Sequence, residues 1–558
     1  MDLGDAGQGA WGDPIGSAKM VRSVTSIAVL CLISLVLGGN WVSEQTGQAK
    51  DQSPVPSASA AAPSSLTEAG HLYRTGNLDA ALELYNRIVE SDPKSALAYV
   101  GVARVYLKQN KPAEAFTAAQ KAVELSPTLD AAREALAEVH FRQGKIVDAE
   151  RELDALINAN TKEARAYLEL SRIYRCNSWY KHEKEMIDRA HELDPNEPDI
   201  QKAWIQTLSL QQRLKALQEY LRTSANDDPE LRRALERQLF VMQDEARSGV
   251  RGCHVANKIS SMETPLVPLL RDPQHLRGYA LAVKVNGVSS HLLLDTGAFG
   301  ILVDSKIAEK AGLKPLVTTD LKGIGDRGAA SGYYAYADSI KIGELEFEHC
   351  MVEVIDQKSV IGDDGLIGAN VFSKYLVDIN FPDKKFALSP LPPRPEDAKP
   401  ANSENLASSA GPELHDRYIA PEMKSYTPVL RFGDDLLIHT RLNGSPPKLF
   451  IIDTGAFDNS ISPVAAKEVT KISSDSNMSI RGLSGKVDKV FRTNDLTIQF
   501  GYLQQRREFI SFDTKRISDS IGTEVSGFLG FGMLWLLDIK IDYRDGLVDF
   551  QYDGNRIR

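Results

Sequence analysis

The sequence predicts a multidomain chain, with an all-α solenoid of helix pairs followed by two all-β lobes of one design. Two observations carry this. Between residues 62 and 250, Pro93, Pro127, Pro195 and Pro229 are separated by 34, 68 and 34 residues. Between residues 262 and 553, an apolar strand running into Asp-Thr-Gly-Ala-Phe occurs twice, as Leu292–Phe299 and as Phe450–Phe457. A fixed period of this length marks stacked supersecondary units, and a repeated strand-plus-motif marks a duplicated domain.

Taken in order, residues 1–42 hold the one strongly apolar run, Val24 to Leu37, preceded by Lys19 and Arg22 and followed by Gly38-Gly39. Its 14 residues fall short of the roughly 20 that cross a bilayer. The layout predicts a secretory signal peptide, with an uncleaved signal anchor as the alternative. Asp2, Asp5 and Asp13 are unusual in such a segment and make Met20 an alternative start. The expected location is therefore exported, periplasmic or extracellular, with membrane attachment only through residues 24–37. Residues 43–61, rich in Ser, Ala and Pro, read as a flexible linker.

In the helical region, small residues recur at Ala69, Ala103, Ala137 and Ser171, and again at Ala81, Ala115 and Ala149. Thr161 stands where the period calls for a proline. Four helix pairs are expected from about Ala62 to Glu197, then a degraded fifth and a capping helix over 230–248. This pattern resembles tetratricopeptide repeats. The resemblance implies a solenoid whose groove takes a protein partner. The region has no repeated acid, base or nucleophile, so a docking role separable from the lobes is expected of it.

Each lobe, 262–389 and 425–553, opens with strands meeting at Asn-Gly: Asn286-Gly287 in the first and Asn443-Gly444 in the second. That dipeptide predicts a tight β-hairpin. Asp295 and Asp453 follow, each ending an apolar strand. Next come glycine-bearing segments, Gly323-Ile324-Gly325 and Gly482-Leu483-Ser484-Gly485. Gly365-Leu366-Ile367-Gly368 then matches Gly527-Phe528-Leu529-Gly530, and Asp378-Ile379 matches Asp538-Ile539. The seven prolines from Pro390 to Pro421 mark residues 390–424 as an interlobe linker.

With these landmarks in one order, each lobe resembles a retropepsin-like aspartic protease domain. The chain looks like a single-chain version carrying both lobes, each an acid-protease barrel. The resemblance implies that Asp295 and Asp453 form a catalytic dyad. It implies that Thr296 and Thr454 lock the two loops, and that Gly297 and Gly455 allow their close approach. Gly323, Ile324 and Gly325 would tip one flap; Gly482, Leu483 and Gly485 would tip the other. Two carboxyls sharing one proton supply the acid and the base for a single water, so no cofactor and no metal is expected. The substrate would be a polypeptide.

Other classes have less support. The net charge of −10 gives no basic excess for nucleic acid. Gly323-Ile-Gly-Asp-Arg-Gly328 matches a dinucleotide fingerprint in letters, but no helix pattern follows it. No Cys-x-x-Cys or His-Glu-x-x-His suggests zinc. Cys253 and Cys350 flank the first lobe; free thiols are the default, and a disulfide is the alternative in an oxidising compartment. A non-catalytic scaffold or an envelope assembly factor acting by protein binding is the alternative function. It would be favoured by a wide separation of Asp295 and Asp453.

Overall fold

The computed structural model describes residues 24–26, 62–224, 229–248, 253–257, 259–321, 323–326, 328–355, 364–395, 414–474 and 478–554. The expected signal segment (apart from a short strand Val24–Ser26), the first linker and most of the interlobe linker lie outside the described residues. Among those described, no helix is long and apolar enough to cross a membrane.

The first region is a stack of helix pairs: α1 (Ala62–Arg74) with α2 (Leu78–Ser91), α3 (Ala96–Lys108) with α4 (Pro112–Leu125), α5 (Asp130–Arg142) with α6 (Ile146–Asn158), and α7 (Ala164–Cys176) with α8 (Tyr180–Leu193). A fifth pair follows, α9 (Pro198–Thr207) and α10 (Leu210–Thr223), then α11 (Pro229–Ser248). Pro93, Pro127 and Pro195 each lie two residues past the end of a second helix, where a missing N–H cannot extend it. Pro229 differs: it starts α11, at the position where its lost N–H costs nothing. At the missing proline, the Thr161 hydroxyl donates to Asp130 at 2.6 Å and accepts from the Glu163 N–H at 3.1 Å. A side chain thus closes that turn instead. The periodic small residues Ala69, Ala81, Ala103, Ala115, Ala137 and Ala149 are fully buried, since they sit where neighbouring helices touch.

The first helices of the pairs, α3, α5, α7 and α9, present charges to one another, with Arg165, Glu134, Glu138, Glu169 and Asp199 buried and Arg104, Lys108 and Arg172 half-buried. Arg165 pairs with Glu197 at 2.9 Å, Glu138 at 3.0 Å and Asp199 at 3.3 Å. Lys108 reaches Asp199 at 2.5 Å, Arg172 reaches Glu169 at 2.8 Å, and Arg104 reaches Glu134. Carboxylate oxygens of Glu134, Glu138 and Glu169 lie within 4.8 Å of one another, a spacing that suits a metal ion. Arg165 and Arg172 stand against these carboxylates and supply positive charge. These ion pairs link α3, α5, α7 and α9 across several repeats.

The lobes follow the expected duplication. Asn286 and Gly287 take φ of 46° and 83°, and Asn443 and Gly444 take 49° and 76°, left-handed values that suit these residues in tight turns. Short helices α12 (Ser305–Lys310) and α13 (Pro463–Val469) each begin ten residues after their Asp. The lobes join through one sheet, in the order 427–428, 547–552, 537–542, 375–380, 385–390, 262–265. At its centre Tyr375–Asn380 of the first lobe pairs antiparallel with Leu537–Asp542 of the second, with Ile379 opposite Ile539. Cys253 and Cys350 are disulfide-bonded, which corrects the free-thiol expectation. The strand His254–Val255, beside Phe347–Glu348, brings the two sulfurs together.

The repeats are not a freely tethered module. Phe141, Ile146, Leu153 and Ile173 share a buried apolar cluster with Leu430, Phe432, Leu437, Leu449 and Phe528 of the second lobe. The Phe141 and Phe432 rings lie 5.9 Å apart. The Thr523 hydroxyl donates to the Phe141 carbonyl at 2.6 Å, and Arg431 donates to the Tyr180 hydroxyl at 2.7 Å. Each buried side chain of this size is worth about 1.5–3 kcal/mol. The separable docking role expected from sequence is corrected accordingly: removing the repeats would strip one wall from the second lobe.

Candidate active site

Asp295 ends the strand Val288–Asp295, which runs parallel to Gly365–Gly368 with Gly368 beside Asp295. Asp453 follows the strand Lys448–Ile452, which runs parallel to Gly527–Leu529, and its N–H donates to the Leu529 carbonyl at 3.0 Å. The apolar-apolar-Gly segments thus brace the two Asp loops, as the sequence predicts. Their last glycines are required by contact. A Cβ on Gly368 would lie 2.4 Å from the Ala298 carbonyl oxygen, and one on Gly530 would lie 2.5 Å from that of Asp458.

The two loops lock together reciprocally. The Thr296 hydroxyl donates to the Ile452 carbonyl at 2.7 Å and accepts from the Thr454 N–H at 3.0 Å. The Thr454 hydroxyl donates to the Leu294 carbonyl at 2.8 Å and accepts from the Thr296 N–H at 3.1 Å. Gly297 and Gly455 lie against the opposite carboxyls: a Cβ on Gly297 would be 2.8 Å from Asp453 Cγ, and one on Gly455 would be 2.2 Å from Asp295 Oδ2. Only glycine permits this approach.

Both Asp side chains are fully buried. Asp295 Oδ1 accepts from the Gly297 N–H at 2.8 Å, and Asp453 Oδ1 accepts from the Ala456 N–H at 2.7 Å. The two carboxyls also interact with each other by a side-chain hydrogen bond. Burial, and then the neighbouring Asp453 charge, hold the Asp295 carboxyl well above the usual carboxylate range. Burial lifts Asp453 to about 6, opposed by the Ala456 N–H. Burial and the neighbouring like charge thus favour a single proton shared by the pair.

The tips of the two segments expected to be flaps meet one another. The first flap is the hairpin Val317–Leu321 with Ala330–Ile342, so the dinucleotide reading of its glycines is excluded by strands where a helix would be needed. The second is the smaller hairpin Met478–Gly482 with Gly485–Lys486. The Ser484 N–H donates to the Ile324 carbonyl at 3.1 Å, and the Gly323 N–H donates to Ser484 Oγ at 3.1 Å. Ile324 packs among Met478, Ile480 and Val487 of the second lobe, and Leu483 among Leu293, Leu321 and Ala330 of the first. Each tip is thus seated in the opposite lobe.

Sequence reading passed over four contributors. Ser484 links the flaps. Asn370 Oδ1 accepts from the Gly300 N–H at 3.1 Å and steadies the first Asp loop. Arg516, on the short helix α14 (Lys515–Ile521), donates to the Gly325 carbonyl at 3.3 Å. Asp435, 6% exposed, has its carboxyl pushed well up by burial and then by the charges of Asp453 and Asp434.

Raised carboxyls extend into the interlobe sheet. Burial and the adjoining Asp538 lift Asp378 to about 7, and burial and Asp545 lift Asp542 to about 6. A carboxyl with a raised folded-state pKa contributes stability that is complete below its unfolded value and is lost as pH rises through the folded value. The lobe junction is therefore expected to weaken between about pH 4 and pH 7. Amide exchange in Tyr375–Asn380 and Leu537–Asp542, corrected for intrinsic rates, should show more frequent opening at pH 7 than at pH 4.5. Equal opening at both would count against these assignments.

A family model described as aspartyl protease matches residues 281–371. Two tetratricopeptide-repeat models match residues 66–130 and 106–172. Among solved structures, the chain is similar to an aspartic proteinase from Irpex lacteus, with 13% identity over 53% of this chain and 98% of that one and a TM-score of 0.32. It is also similar to a thermophilic tetratricopeptide-repeat protein of Thermus thermophilus, with 22% identity over 32% of this chain and 98% of that one and a TM-score of 0.27. No curated protein matches the chain. The protease family model covers the first lobe, and the second lobe repeats its strands, its Asp loop and its bracing Gly segment. The chain thus joins tetratricopeptide repeats to a retropepsin-like aspartyl protease region.

Proposed function

We propose that the protein is an aspartic endopeptidase in which Asp295 and Asp453 activate one water for peptide-bond hydrolysis. The observation that carries this reading is the reciprocal Thr296–Thr454 lock, which presses each Asp carboxyl against the opposite glycine in one buried site. The ionised carboxylate of the pair takes a proton from the water. The water oxygen bonds to the scissile carbonyl carbon while the protonated carboxyl hydrogen-bonds the carbonyl oxygen; the C–N bond then breaks as a proton passes to the leaving nitrogen. The flaps must part to admit an extended polypeptide and close again to exclude bulk water. The test is digestion of a denatured protein by the intact chain, with products read by mass spectrometry and with a chelator present. The reading expects internal cleavage that the chelator does not change. An undigested substrate across pH 3–8 would reject it.

A protein partner for the repeats and an exported location belong to the same proposal. The Cys253–Cys350 bond supports the location, since such bonds persist in oxidising compartments. Peptide mapping of the protein isolated with thiols blocked should recover the two cysteines linked. Recovery as free thiols would count against export.

A further inference from the structure

The two lobes differ at one matched position beside the dyad. In the first lobe, Ala280 pairs with Leu293 across the hairpin. Carried two pairs further, that register sets Gly278 opposite Asp295. In the second lobe, Leu437 pairs with Ile451. Carried two pairs further, the register sets Asp435 opposite Asp453. Residues directly opposite on antiparallel strands point to the same face, with Cβ atoms about 5 Å apart. A carboxyl on one side of the pseudo-twofold is thus matched by no side chain on the other.

A like-charged pair opposite one another is ordinarily destabilising. A buried carboxyl also needs a hydrogen bond or a cation to offset lost hydration. Asp435 has neither among the described residues, although it is 94% buried by its 6% exposure. The nearest cation on its hairpin, Arg431, is engaged elsewhere. Its guanidinium donates to the Tyr180 hydroxyl at 2.7 Å, to the Tyr543 carbonyl at 2.6 Å and to Asp434 at 3.3 Å. The hairpin Leu430–Phe432 with Asp435–Leu442 cannot easily turn Asp435 away, because Phe432 is held against Phe141 of the repeats. The charges of Asp453 and Asp434 act on Asp435, and that of Asp435 acts on Asp295. The site therefore gathers three carboxyls, and among the described residues no salt bridge answers the third.

We infer that Asp435 forms a subsite for a basic side chain, Lys or Arg, of a polypeptide bound across the dyad. The inference rests on the peptidase reading for the position of the substrate, not for the charge that Asp435 selects. A Lys or Arg next to the scissile bond would bring the missing counter-charge into a water-excluded site. The Gly278 side of the cleft has no such group, so the preference would lie on one side of the cut only.

The test is binding before cleavage. Labelled octapeptides that differ only in Lys or norleucine at successive positions are titrated against the intact protein by fluorescence anisotropy. At one position Lys should bind about tenfold tighter than norleucine. Asp435→Asn should bring that ratio close to one, and Asp435→Glu should restore most of it. Equal affinity for Lys and norleucine at every position of the wild-type ladder overturns the inference, as does a Lys preference unchanged in Asp435→Asn. Cleavage of the same peptides is read separately. Lys selectivity without cleavage would sink the peptidase reading and leave the cation subsite standing. Cleavage with no basic preference would do the reverse.

Discussion

Asp453→Asn is expected to lower kcat/KM for peptide hydrolysis by at least about 10³-fold, and Asp295→Asn by a similar factor. An amide in either place cannot share the proton that the pair needs. Folding should survive both changes. The reciprocal threonine lock is made by hydroxyls and backbone, and the Asn oxygen can still accept the N–H of Gly297 or Ala456. Removing one of two buried acids also relieves their mutual repulsion, so thermal stability at neutral pH should hold or rise. Circular dichroism and a thermal melt beside the kinetics separate lost chemistry from lost structure. An active Asp453→Asn variant, or an inactive one that has unfolded, would each remove the support this variant gives.

The second large effect falls in the repeats. Arg165→Ala should destabilise the helical region by about 3–5 kcal/mol, because it takes the central cation from a buried network. Glu134, Glu138, Glu169, Glu197 and Asp199 all lie within ion-pair reach of that one guanidinium. Burial already lifts Glu169 to about 8 with Arg165 in place. For a region of this size the loss corresponds to a fall in Tm of about 10 °C. Because Phe141 and Ile173 also pack on the second lobe, the melt should carry part of that lobe with it. A shift below about 2 °C would mean that the network is solvated and that the repeats do not depend on it.

Much of the architecture was legible because its signals are local. The 34-residue spacing fixed the helix pairs, since a proline ends a helix wherever it falls and a small residue is needed wherever two helices touch. Asn286-Gly287 and Asn443-Gly444 located the hairpins through their own backbone preferences. The Asp loops, their glycine braces and the two glycine-bearing hairpins were legible through duplication. Features that depend on distant contacts were not. Phe432 reads as one more strand residue until Phe141 is placed beside it. The charges of Glu134 and Arg165 carry no local signal of burial, which comes from the packing of neighbouring repeats. The mutual seating of Ile324 and Leu483 needs both lobes present. Asp435 was within reach: it precedes Asn443 by the same interval that separates Gly278 from Asn286, so counting the hairpin register from the turn sets it opposite Asp453.

The central claim is that the two lobes contribute to a single site, and the double variant tests it most directly. Groups that act as one unit lose their function once, whichever of them is removed. The kcat/KM of Asp295→Asn combined with Asp453→Asn should therefore equal that of either single variant. Factors that multiply would mean that the two groups act independently, and a single variant that keeps about half the wild-type activity would mean two separate sites; either would contradict the account.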